Sequence, residues 1–123
     1  MRTYARNRTE RTIQVLRWAM DHFEVKPGTV RVEFVDVLEK DKKGEESLFG
    51  YVTKVGGKDV IRLSMRANDR RSVMIETALH EFAHVLYKRS HLHPDNFWLT
   101  FGKIYRAFHE EGGKEASLRY PVD

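Results

Sequence analysis

At 123 residues the chain can build one sizeable core but not two, and its 41% hydrophobic and 33% charged residues are the proportions of an ordinary globular domain. With no Cys, disulfides and cysteine-held zinc are excluded, and any metal must be held by His and carboxylate side chains. The net charge of +4 can draw nucleic acid, but the Arg and Lys residues are dispersed and mixed with Asp and Glu, the pattern of a solvated surface.

Residues 9–23 read as the first helix, because Ile13, Leu16, Met20 and Phe23 recur at helical spacing with Trp18 and Ala19 beside them. Thr9 is its expected N-cap, and Lys26-Pro27-Gly28 is the turn that ends it. From Thr29 the period becomes two, with Val30, Val32 and Phe34 on one side, which predicts a strand. A charged loop follows from Glu39 to Glu46. Two more strand patterns, 48–55 and 59–65, flank Gly56-Gly57, a hairpin signal. Ser72 is the expected cap of a long helix through residues 76–87, which has no Gly or Pro. Pro94 opens another helix, whose Phe97, Trp98, Phe101, Ile104, Tyr105 and Phe108 read as core packing. Gly112-Gly113 is the expected stop. The fold class is therefore α+β: a small three-stranded, largely antiparallel sheet packed against three helices, in the order α-β-β-β-α-α. No internal repeat interrupts residues 1–123, which read as a single domain.

The long helix carries His80-Glu81-Phe82-Ala83-His84. Positions four apart project from nearly the same side of a helix, one turn apart, so both imidazoles can reach one metal ion at ~2.0–2.1 Å. Glu81 lies about 100° further round, beside such an ion, where it can take a proton from a water that the metal activates. A solvated helix face would explain two histidines, but Ala78, Leu79, Phe82, Ala83, Val85 and Leu86 make this helix too apolar for that. Buried imidazole and carboxylate groups need a partner. Glu76, one turn before His80, reads as a salt-bridge residue or an outer partner of the site.

A catalytic zinc takes three protein ligands and keeps a fourth position open. His93 leads as the third, since it precedes Pro94 at the positive end of the next helix, where the dipole favours a neutral ring. His91 competes with it, and Glu110 or Glu111 would serve in a glutamate-type site. Tyr87, Tyr105 and His109 are the candidates for stabilising an oxyanion.

The run from Gly57 through Ile61-Arg62-Leu63-Ser64, the helix with His80-Glu81-Phe82-Ala83-His84, and His93-Pro94-Asp95-Asn96-Phe97-Trp98 together resemble the SprT-like metalloproteases over about residues 56–108. Pro94 stands where that family commonly has Gly, the interval from His84 to His93 is shorter, and the Cys-rich zinc ribbon of many members is absent. The resemblance implies a zincin-like arrangement, Zn²⁺ held by His80, His84 and His93, and Glu81 as general base. It also implies an extended substrate peptide lying along the strand at Val60–Met65. The expected function is zinc-dependent endopeptidase, acting on a protein or peptide substrate. The alternative is a basic nucleic-acid-binding or adaptor domain with a structural or vestigial metal site. No apolar run nears the ~20 residues of a membrane span. Residues 1–6 lack the apolar centre of an export signal, so no membrane partner and a cytoplasmic location are expected.

Overall fold

A computed structural model describes residues 7–38, 49–90 and 97–120. Its elements are helix α1 (Arg8–His22), strands β1 (Val30–Val35), β2 (Gly50–Val55) and β3 (Lys58–Ser64), and helices α2 (Arg71–Ser90) and α3 (Phe97–Ala107). A π-helical turn (Phe108–Gly112) then leads into α4 (Gly113–Arg119). This is an α+β fold in the expected element order, with the last helix prolonged.

The sheet is mixed, which corrects the largely antiparallel expectation. Its order is β1-β3-β2. β1 runs parallel to β3, with Val32 opposite Ile61, and β2 runs antiparallel to it, with Val52 opposite the same residue. Period-two alternation fixes which side chains share a face but not which neighbour a strand chooses. Burial made the choice: Val60, Ile61 and Leu63 are fully buried, and so apolar a run belongs in the middle of a sheet. β3 accordingly inserts between the two earlier strands. Val60–Met65 cannot then offer a docking edge, because β3 is paired on both sides. The edges are β1 and β2.

The hairpin between β2 and β3 turns as the glycines require, with φ of 59° at Gly56 and 81° at Gly57. Both angles lie in the left-handed region of a tight two-residue hairpin turn. Phe49 accepts from the Ser64 N–H at 3.0 Å. The antiparallel alternation therefore points the N–H and C=O of Gly50, Val52 and Lys54 away from β3, toward the open edge.

α1 and α2 cover one face of the sheet, and Val15, Trp18, Leu63, Met74, Ala78 and Phe82 meet in the core between them. Asn7, not Thr9, caps α1: its side chain accepts from the Glu10 N–H at 2.9 Å, and the Thr9 hydroxyl donates to the same oxygen at 2.7 Å. α2 starts at Arg71, so Ser72 lies inside its first turn and is not the cap. Gly112 and Gly113 do not stop the chain, because both adopt right-handed helical angles. Gly112 is needed for space: a Cβ there would stand 2.5 Å from the Trp18 ring. No helix among the described residues is long and apolar enough to cross a membrane.

Candidate active site

α2 is buried on most sides. Ala78, Leu79, Phe82 and Ala83 are fully covered, and these apolar neighbours fix the rotation of the helix. That rotation leaves His80 half-buried, His84 exposed and Glu81 buried, with 8% of its surface accessible. The His80 and His84 rings lie one turn apart with centroids 5.0 Å from each other. At Zn–N distances of ~2.0–2.1 Å each ring centre stands about 3.2 Å from the ion, and a tetrahedral angle then separates the centres by about 5.2 Å. The spacing of the two rings is thus close to the one that sharing a single ion requires.

α3 builds the other side of the site. Phe97 stacks on His84 at 4.1 Å, while Phe97, Trp98 and Phe101 stand 5.2, 5.9 and 5.2 Å from His80. Phe97 and Ile104 are buried and Phe101 is half-buried, as a core stripe requires, but Trp98 is 66% exposed. It sits about 100° off the stripe that starts at Phe97, so its ring lies over the site instead of in the core.

Electrostatics suit the chemistry. Burial lowers the pKa of His80, against the raising pull of Glu76, and burial followed by the proximity of His80 lowers that of His84. Both shifts favour the neutral ring, the form that ligates a metal. Burial raises the Glu81 carboxyl to about 7, close to the pH at which a general base exchanges protons most effectively. Glu76 is exposed and borders a cavity with His80, on which it acts through its charge.

Two cavities meet at Glu81. One, of about 550 Å³, is walled by Phe49, Val73, Thr77, Trp98 and Phe101. The other, of about 570 Å³, is bordered by Tyr51, Val52, His84, Tyr87 and Lys88. Glu81 and Gly50 line both. Tyr87 thus shares a cavity with Glu81 and His84, whereas Tyr105 and His109 border a different one, with Ser72 and Leu79.

Among the described residues, no third His, Cys, Asp or Glu joins His80 and His84 in a group able to hold a metal ion. Glu110 and Glu111 are therefore not brought to the pair, and Glu110 instead bonds Arg106 at 2.8 Å. His91 and His93, the remaining candidates for third ligand, lie outside the described residues.

No family model, curated protein or solved structure matches this chain. The functional reading therefore rests on the site itself.

One residue that shapes the site carries no motif. Asn68 is fully buried, and its amide donates to the Phe49 and Ser64 carbonyls, each at 2.8 Å. Its Oδ1 accepts from the Thr77 hydroxyl at 2.6 Å. It fastens the start of β2 and the end of β3 to α2, one turn before His80. In the sequence it is an ordinary turn residue before a helix, and only its buried position reveals the role.

Proposed function

We propose that this protein is a zinc-dependent endopeptidase, in which His80, His84 and His93 hold the ion and Glu81 is the general base. His91 is the rival for third ligand. The observation that carries the reading is the buried Glu81 directly beside two imidazoles one turn apart on the same helix, with cavities opening on either side of it. The motif resemblance to the SprT-like metalloproteases supports the same assignment.

Bound zinc supplies Lewis acidity, which makes water a better nucleophile and the peptide carbonyl a better electrophile at neutral pH. The chain's own residues do the rest. Glu81 takes the proton of the attacking water, and its buried surroundings make that carboxylate more basic than one in water. The same carboxyl then delivers the proton to the departing amine. The outward N–H and C=O groups of Gly50 and Val52 on the β2 edge are positioned to pair with an extended substrate backbone. Tyr87 is the tyrosine best situated to donate to the developing oxyanion, since it borders the cavity of Glu81 and His84.

The alternative, a basic nucleic-acid-binding or adaptor domain, has less support. Arg31 and Arg62 both pair with Glu33 at 2.9 Å, and Arg119 pairs with Asp21 at 3.3 Å, so these three arginines are engaged with carboxylates of the chain itself. A structural metal also has no use for a base at position 81. The test is hydrolysis of an unfolded protein substrate: a chelator should abolish it and added zinc restore it. Full activity in the presence of chelator contradicts the proposal.

A further inference from the structure

Phe49 and Trp98 are 52% and 66% exposed. They come from different elements, one entering β2 and one on α3, yet both line the cavity of about 550 Å³ beside Glu81. Large apolar side chains left uncovered around a single opening mark a ligand site. This wall is preformed. The Phe49 backbone is held by Asn68 at 2.8 Å and Ser64 at 3.0 Å. The Trp98 ring rests against Phe97, centroids 5.1 Å apart, and Phe101, 6.3 Å apart. Gly50, bordering the same cavity, presents its N–H and C=O along the open edge of β2, so the fitting occupant is a side chain of an extended polypeptide. Glu76 in the wall repels an acidic side chain.

We propose that this cavity takes a large apolar, preferably aromatic, side chain from a substrate residue next to the bond that is cut, and that Phe49 and Trp98 set this specificity. The inference rests on the endopeptidase reading and names its substrate class. The aromatic rings that line the cavity can stack on an incoming ring or pack a Leu or Met, whereas Ala leaves the space unfilled and Asp meets Glu76.

The test uses the full-length, zinc-loaded protein and fluorogenic peptides that vary one position of an Ala-Gly-Ser host among Phe, Leu, Ala and Asp. Mass spectrometry locates the cut. Cleavage next to Phe or Leu should exceed that next to Ala by about tenfold or more in kcat/KM, with Asp the poorest. Trp98→Ala and Phe49→Ala should each lower the Phe-to-Ala ratio several-fold, and each variant is judged alone after its folding is checked by circular dichroism. A second readout needs no turnover. In Glu81→Gln protein, the Phe peptide should shift the exposed Trp98 emission to the blue and saturate at lower concentration than the Ala peptide. Adding Trp98→Phe should remove the shift. Equal cleavage and equal binding of Phe and Ala peptides overturn the inference, as does an unchanged ratio in both variants. If the wild type cuts no peptide, the endopeptidase reading fails instead, and the fluorescence titration alone decides whether the pocket selects aromatic side chains.

Discussion

The Thr77 hydroxyl donates to the Asn68 Oδ1 at 2.6 Å, and the same Asn68 donates to the Phe49 carbonyl, so the site helix and the edge strand are fastened through one buried amide. Asn68→Ala would remove three side-chain hydrogen bonds, to the Phe49 and Ser64 carbonyls and from the Thr77 hydroxyl. Each partner keeps a second bond, the Phe49 carbonyl from the Ser64 N–H, the Ser64 carbonyl from the N–H of residue 68 and the Thr77 hydroxyl to the Val73 carbonyl. The loss is therefore that of net hydrogen bonds at about 0.5–1.5 kcal/mol each, which should lower the melting temperature by several degrees. Because Phe49 and Gly50 border the cavity beside Glu81, turnover should fall as well, more through KM than through zinc content. Thermal melts, metal analysis and peptide kinetics on one preparation check all three.

Trp18 and Gly112 make a stability prediction independent of the site. Trp18 is 1% exposed, and its indole N–H donates to Glu115 at 3.1 Å, so the ring cannot yield to a Cβ that would stand 2.5 Å away. Gly112→Ala should destabilise the fold by about 1–3 kcal/mol, the usual cost of overpacking. Denaturant unfolding measures it, and zinc content of the surviving folded protein should be unchanged.

The edge assignment separates two proline substitutions. Val52→Pro removes an N–H that points away from β3, so the ladder survives and peptide binding should weaken by about tenfold, the worth of roughly one hydrogen bond. Ser64→Pro removes the N–H that bonds Phe49 within the ladder, and should unfold the protein or lower its melting temperature sharply. Should Val52→Pro fold poorly, Lys54→Pro repeats the test at a more exposed position. Unimpaired peptide binding in folded Val52→Pro and Lys54→Pro proteins would remove β2 as the docking edge.

Much of this was legible in the residues. The 3.6-residue period of residues 76–87 identified the helix that carries His80, Glu81 and His84, and Gly56-Gly57 announced the hairpin. Partner choice was not legible. Alternation in β1 and β3 gives faces but no direction, so the parallel pairing of Val32 with Ile61 emerged only from the burial of β3. Trp98 looked like core because it adjoins a core stripe, and only helix rotation separates it from Phe97. Gly112 looked like a stop signal, although its missing side chain serves packing and not a left-handed turn. Asn68 offered no signal, since a single polar residue in a turn has the same appearance whether exposed or buried.

Third-ligand identity divides two histidines two positions apart. His80→Ala and His84→Ala should each strip the zinc, because two remaining donors hold an ion far more weakly than three. His93→Ala should do the same, and His91→Ala should leave occupancy near one ion per chain, the stoichiometry of a single mononuclear site. Elemental analysis of the four variants after metal-replete expression checks it. The reverse result for His91 and His93 transfers the role to His91.

The central claim is that Glu81 performs chemistry on a site it does not ligate. Its buried carboxylate adjoins His80 in sequence but lies about 100° round the helix from it. Glu81→Gln keeps the shape and removes the basic oxygen, and a general base contributes about 10²–10⁴-fold to turnover. The deciding measurement is peptide cleavage rate paired with zinc per chain, for wild type and Glu81→Gln. The account predicts a fall in rate of about 100-fold or more with zinc retained. Undiminished cleavage, or loss of zinc along with the carboxylate, would contradict it.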